Sequence, residues 1–194
     1  SQMDFVMELQ KLTHRPVTAK SIRTAAKQIT SAHHALRCLK AMDIPQIAKD
    51  FINQTYYLAP DIHEWTDHVN GLAKENLKPM SENRSRLLLI GSPIFFPNAK
   101  IPSVLHNVGI RDYENLCGIP DPEDYTELMK RDPSSLNSMF RELHEIHYRS
   151  ARNDIARVLC SDTSFLQNTG GVIYHLLKGQ LMYAYEAERI EKAA

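Results

Sequence analysis

Between Asp4 and Lys78 apolar residues recur at helical intervals, not in alternation, and a single glycine, Gly71, interrupts the segment. The longest stripe runs from Ile22 through Ala26, Ile29, Ala32 and Leu36 to Leu39 and stays near one face of a 3.6-residue period. It predicts a helix that Thr18 caps and that reaches about Met42. Pro45 suits the first turn of a second helix carrying Ile47, Phe51 and Ile52. Pro60 and Asp61 open a third through Trp65, Val69 and Leu72, so the first half is read as three or four helices.

The pattern changes after the polar stretch Ser81 to Arg86. Leu87, Leu88, Leu89 and Ile90 form a short continuous apolar run closed by Gly91-Ser92-Pro93, the signature of a buried parallel strand over Arg86 to Gly91. Lys100 to Val108 reads as the following helix, stopped by Gly109, and Ile110 to Tyr113 as a short strand. Pro120, Pro122 and Pro133 punctuate a polar segment from Gly118 to Pro133, which reads as a loop or insertion. Leu136 to about Leu166 is helical again. Val172 to Leu177 is a second strand, Gly179 ends it, and Leu181 to Lys192 is a helix. The expectation is an α/β protein with a helical region over residues 1–82 and a partial flavodoxin- or Rossmann-like parallel sheet domain over 83–194. A sheet of two or three strands leaves edges uncovered, so this domain is expected to be incomplete or completed by a partner.

Composition adjusts this picture only slightly. At 194 residues, 43% hydrophobic and 24% charged, the chain suits a packed core. Lys+Arg and Asp+Glu are both 23, giving zero net charge and no general basic field for nucleic acid. No apolar run reaches membrane-spanning length, and Ser1 to Glu8 lacks a basic-then-apolar leader pattern. Cys38, Cys117 and Cys160 are scattered and odd in number, which argues against a disulfide framework and for a cytoplasmic setting. Each is read as a small buried hydrophobe.

His63 and His68 resemble a zinc-protease pair, but they are five residues apart and so about 140° out of line on a helix. His144 and His147 have one-turn spacing, yet Arg141, Glu142, Glu145 and Arg149 around them mark a charged exterior. No Gly-rich phosphate loop and no Gly-x-Ser-x-Gly elbow is present. The remaining candidates sit at the carboxyl ends of the two strands, where parallel sheets gather ligands. Gly91 lets the chain turn closely and Ser92 offers a hydroxyl. Asn98 and Lys100 lie at the start of the next helix, suited to an anion or carbonyl, and His175 and Gln180 follow the second strand. The plainer alternative is that Gly and Pro merely end a strand and that His175 is a core histidine.

At these residues the sequence resembles a known family. Arg86-Leu-Leu-Leu-Ile-Gly-Ser-Pro-Ile-Phe-Phe-Pro-Asn-Ala-Lys100, Leu105, Gly109, Leu116-Cys117, and Gly171-Val-Ile-Tyr-His-Leu-Leu-Lys-Gly-Gln180 with Tyr185-Glu186 are similar to the 2-hydroxyacyl-CoA dehydratase and benzoyl-CoA reductase family. Leu12 to Thr18 and the helix after it are similar to the segment that introduces the family's second half. The likeness covers most of the chain and is weakest from about Gly118 to Arg149.

The resemblance implies a subunit or domain of an oxygen-sensitive enzyme that binds an acyl-CoA thioester. In the family a cysteine-ligated [4Fe-4S] cluster, fed by an ATP-hydrolysing activator, delivers one electron to the thioester carbonyl, and the resulting radical permits dehydration or ring reduction. The sequence departs from that pattern: no cysteine-bearing α/β domain precedes Ser1, Lys178-Gly179-Gln180 stands where a late cluster cysteine falls, and no final strand and helix follow Ala194. Cys117 matches a family cysteine that is not taken as a ligand. A cluster is therefore expected for the family but not on this chain alone.

Two functions follow from the resemblance. The first is a fragment or subunit of such a lyase or oxidoreductase, with Gly91, Ser92, Asn98, Lys100, His175 and Gln180 lining an acyl-CoA cleft, beside a homologous cluster-bearing subunit and the activator. The alternative is a non-catalytic, cluster-free interaction module that docks on an iron-sulfur partner through its sheet edge.

Overall fold

Thr18 starts the longest helix by satisfying the donors at its open end. Its hydroxyl accepts from the Ser21 N–H at 3.1 Å, and the Ser21 hydroxyl accepts from the Thr18 N–H at 2.9 Å, a reciprocal cap. The computed structural model describes residues 2–75, 78–79, 86–118, 121–131, 135–150 and 169–193. After α1 (Gln2–Thr13), the capped helix is α2 (Ala19–Lys40); α3 (Gln46–Tyr56) follows Pro45 and α4 (Ile62–Lys74) follows Asp61. Asp61 caps α4 by accepting from the N–H groups of His63 and Glu64 at 2.7 and 3.3 Å.

Apolar periodicity then dictates the first core. Ala32, Ala35, Leu36 and Leu39 of α2 are buried against Trp65 and Val69 of α4. The Trp65 indole N–H donates to Thr55 Oγ1 at 2.9 Å, so the ring's one polar atom is satisfied inside this core. Cys38 is a correction to the expected burial: it is exposed, because it lies about 100° round the helix from Leu39 and off the buried stripe.

Strands β1 (Arg86–Gly91), β2 (Tyr113–Asn115) and β3 (Thr169–His175) form a parallel sheet in the order β2-β1-β3. Helix α5 (Lys100–Asn107) lies between β1 and β2 in sequence, and α6 (Thr126–Arg131) and α7 (Leu136–Ser150) come before β3; α8 (Leu181–Ala193) follows it. Alternate β1 residues face opposite layers. Leu88 and Ile90 pack with Ile190 of α8, while Leu89 packs with Leu105 of α5. Burial on both faces explains the unbroken apolar run of β1. The expected α/β class, a helical region followed by a small parallel sheet, is what the chain adopts.

Three expectations shift. The second strand forms over Tyr113–Asn115 instead of Ile110 to Tyr113, because the Ile110 N–H still donates to Leu105 O at 2.8 Å in the exit turn of α5. The last strand starts at Thr169 and ends at His175, two residues short of Leu177, because pairing stops where Gly91 turns β1 away; Leu176 and Leu177 beyond it are exposed. The segment read as a loop or insertion contains α6, whose Leu128 is buried with Ala26 of α2 and Met139 of α7. Six residues are too few to show a period, so this helix is invisible to pattern reading. Pro120, Pro133, Cys160 and the helical expectation over residues 151–166 lie outside the described residues. Among the described residues no helix is long and apolar enough to cross a membrane.

Candidate functional site

Gly91 is the hinge of the strand ends. Its φ is +114°, and a Cβ there would meet the His175 carbonyl oxygen at 2.1 Å, so only glycine permits the closest approach of β1 to β3. Three hydrogen bonds tie the corner beyond it. Ser92 N–H donates to His175 O at 2.7 Å, and Leu177 N–H donates to Ser92 Oγ at 2.9 Å. His175 Nδ1 lies 3.1 Å from Ser92 O. A carbonyl can only accept, so in this contact Nδ1 is the donor.

The six residues singled out from the sequence do not all converge. Gly91, Ser92 and His175 are joined as described, and Ser92 is fully buried. Gln180 stands at the entry of α8, its N–H donating to Leu177 O at 3.1 Å and its Oε1 buried without a hydrogen-bond partner. Asn98 and Lys100 are exposed, in the loop before α5 and at its first residue, and neither side chain bonds to the corner among the described residues.

A second concavity, of about 340 Å³, was not foreseen from the sequence. It opens between α3 and the outer edge of β2, and α3 presents its polar side to it. Gln46, Lys49, Asp50, Asn53 and Gln54 recur at one-turn intervals, the spacing of a buried stripe, and Lys49, Asn53 and Gln54 are indeed buried. The expectation that Phe51 lies on the inward face is corrected: Phe51 is 52% exposed and leans edge-on against Phe96, because the stripe facing the sheet is the polar one.

Side chains of this stripe find defined partners. Asp50 accepts from Asn115 Nδ2 at 2.7 Å and from Gln46 Nε2 at 2.8 Å. Asp121 accepts from Lys40 Nζ at 2.5 Å and from Asn53 Nδ2 at 3.0 Å, and Lys49 Nζ donates to Lys40 O at 2.8 Å. Gln54 Oε1 accepts from the Phe96 N–H at 2.8 Å, which ties α3 to the loop after β1. Burial pushes the Asp50 carboxyl above the usual range against the pull of Asn115 and Gln46. Burial first, then the neighbouring Asp50 charge, also keeps the proton on Tyr113 far above its ordinary value.

Among the described residues His63 and His68 hold nothing jointly. His63 and His68 are exposed, His63 Nδ1 pairing with Asp67 at 3.1 Å and His68 Nδ1 with Glu64 O at 2.9 Å. His144 is exposed, and the side chain of His147 lies outside the described residues. The described residues on their own do not fit an iron-sulfur cluster. Cys38 is exposed on α2, Cys117 is buried beneath β1, and among the described residues no three His, Cys, Asp or Glu side chains gather to hold a metal ion.

A three-stranded parallel sheet flanked by helices, with β1 and β3 joined at their carboxyl ends, defines a protein of the α/β class. The chain belongs to the family described as 2-hydroxyglutaryl-CoA dehydratase, D-component, which matches it over residues 2–194. This bears out the resemblance to 2-hydroxyacyl-CoA dehydratases. Comparison with curated proteins and with solved structures finds no match.

Proposed function

We propose that this chain is the substrate-binding part of a 2-hydroxyacyl-CoA dehydratase-type subunit and that the acyl-CoA thioester lies across the carboxyl ends of β1 and β3. The observation that carries this reading is the contact of His175 Nδ1 with Ser92 O at 3.1 Å, which joins the ends of β1 and β3. In this reading Nδ1 donates to Ser92 O and Nε2 accepts from the 2-hydroxyl of the substrate. Ser92 supports this reading as a positioning residue, since its hydroxyl is buried and taken by the Leu177 N–H. In this reading Lys100, exposed at the first turn of α5, meets a phosphate of CoA. Electron delivery, and the [4Fe-4S] cluster it requires in the family, belong in this reading to a homologous partner subunit served by an ATP-dependent activator.

Calorimetric titration of the purified chain tests the reading with 2-hydroxyglutaryl-CoA, glutaryl-CoA and free CoA. The 2-hydroxy thioester should bind more tightly than its deoxy analogue, and His175→Ala should erase that preference while Lys100→Ala weakens all three ligands about tenfold. Equal binding of hydroxy and deoxy thioesters, or affinities untouched by both variants, would sink it. Leu176, Leu177, Leu181 and Tyr185, all exposed beside this corner, favour a second reading as a non-catalytic docking module. That reading predicts no thioester binding and association with the cluster-bearing subunit alone.

A further inference from the structure

Gln54 is a buried amide whose partner lies in another part of the fold. It is 8% exposed, near the end of α3, and its Oε1 accepts from the Phe96 N–H at 2.8 Å, 42 positions away in the loop between β1 and α5. Such a bond adds little by itself, but an N–H left unmet inside the protein is costly, so the pair fixes where the loop runs. Phe51 is the neighbour of Gln54 one turn earlier on α3. Its ring meets the Phe96 ring edge-on, with centroids 5.2 Å apart and planes at 72°. One turn of α3 therefore grips Phe96 twice, by its backbone and by its ring.

The loop transmits that restraint. Before Phe96, the Ile94 N–H donates to Cys117 O at 2.8 Å and anchors the exit of β1. After it, Asn98 N–H donates to Phe95 O at 2.8 Å and Ala99 N–H to Pro97 O at 2.9 Å, and Ser103 N–H donates to Ala99 O at 2.8 Å as α5 begins. Phe96 thus sits between a fixed strand end and a continuous run of turns that leads to Lys100. The Lys100 ammonium rides on a flexible four-carbon stem, so what the fold presets is the backbone from which it reaches.

We propose that Gln54 is a positioning residue of the thioester site: by holding Phe96 it sets the loop that presents Lys100 to the CoA end of the ligand, with Phe51 as the second grip. The proposal rests on the reading in which Lys100 meets a phosphate of CoA. Gln54 acts through the loop and does not touch the ligand, which makes α3, from the helical region, part of the geometry of a site built on the sheet.

Calorimetric double-mutant cycles on the whole chain, with 2-hydroxyglutaryl-CoA and glutaryl-CoA, test this. In the parent chain Lys100→Ala should weaken both ligands about tenfold; in Gln54→Leu, which has no acceptor for the Phe96 N–H, the same step should be less than about threefold. Gln54→Glu keeps an oxygen acceptor in either protonation state and should restore the full step. The preference for the 2-hydroxy thioester, which depends on His175, should persist in Gln54→Leu, a result that general loosening of the fold would not give. Phe51→Leu, at a half-exposed position, should fold normally and shrink the Lys100 step by a smaller factor, which keeps the test valid if Gln54→Leu folds poorly. Equal Lys100 steps in the parent, Gln54→Leu and Phe51→Leu, no rescue by Gln54→Glu, or loss of the hydroxy preference in Gln54→Leu would each overturn this role of Gln54 and leave the thioester reading standing. No effect of Lys100→Ala in the parent chain would overturn both.

Discussion

Replacing Gly91 with alanine should be the most damaging single-methyl addition in the described chain, and the reason separates into two parts. The first is backbone: a φ of +114° is a region L side chains rarely adopt, with a cost of about 1–3 kcal/mol. The second is contact. The new Cβ would stand 2.1 Å from the His175 carbonyl oxygen, so β1 and β3 must separate there. Separation strains three hydrogen bonds, Ser92 N–H to His175 O, Leu177 N–H to Ser92 Oγ and His175 Nδ1 to Ser92 O, each worth about 0.5–1.5 kcal/mol. The sum is about 2.5–7.5 kcal/mol against a usual total stability of about 5–15 kcal/mol. For a chain of this length the melting temperature should fall by roughly 10 °C. Gly109 supplies the control. Its φ is +86° but nothing lies within 4 Å of its Cβ position, so Gly109→Ala has the backbone cost alone, about 1–3 kcal/mol. Urea unfolding of both variants, followed by circular dichroism, measures the difference, which should be about 2 kcal/mol. Equal losses in the two variants would refute the argument that close strand approach, and not φ alone, requires Gly91.

Two carboxyl groups should respond to pH with opposite signs. The folded-state pKa of Asp50 is raised above 3.8, so its native state is favoured at low pH and loses that advantage as pH rises through the folded value. Against Asp50→Asn, wild-type stability should decline as pH rises above about 4 in urea titrations. At Asp124 partial burial pushes the pKa up, but the hydroxyl and N–H of Thr126 outweigh it and hold the carboxyl below 3.8. Its contribution to the first turn of α6 is therefore present above that value and fades as pH falls through the folded pKa; Asp124→Ala should cost about 1 kcal/mol at neutral pH and less in acid. Leu36→Ala, at a fully buried position beside Trp65, should cost about 2–5 kcal/mol, whereas Leu58→Ala, 81% exposed, should stay within about 0.5 kcal/mol by the same assay. In a Cys160→Ser background, Cys38 should react with a thiol reagent at once and Cys117 only on unfolding; equal rates would contradict the burial difference.

Much of the fold is legible because long periodic or continuous apolar runs leave few alternatives. The α2 stripe, the Asp61 cap and the β1 run over Leu87 to Ile90 all appear where local pattern and chemistry agree. Legibility ends where an element depends on a distant partner. Tyr113–Asn115 is a strand because β1 pairs with it, not because three residues show alternation. Thr169–His175 extends back through two glycines because Arg86 and Leu87 supply the opposing backbone, although glycine alone argues for a turn. The exposed position of Cys38 follows once the buried face of α2 is fixed by Leu36 and Leu39, an angle that composition alone does not carry.

The strand-end corner and the α3 pocket differ in the same way. Gly91, Ser92 and His175 are readable because Gly-Ser-Pro after an apolar run marks a strand terminus and parallel sheets use that terminus; the contact of His175 Nδ1 with Ser92 O arises only when residues 83 positions apart meet. In α3 the rule that apolar residues point inward misleads, because Phe51 is half exposed while Lys49, Asn53 and Gln54 are buried. A signal was nonetheless present in the sequence. Gln46, Lys49, Asp50, Asn53 and Gln54 have the i, i+3, i+4, i+7, i+8 spacing of a core-facing stripe, written in polar residues. Burying such a stripe requires hydrogen-bonded partners, and Asn115, Phe96 and the Lys40 carbonyl supply them.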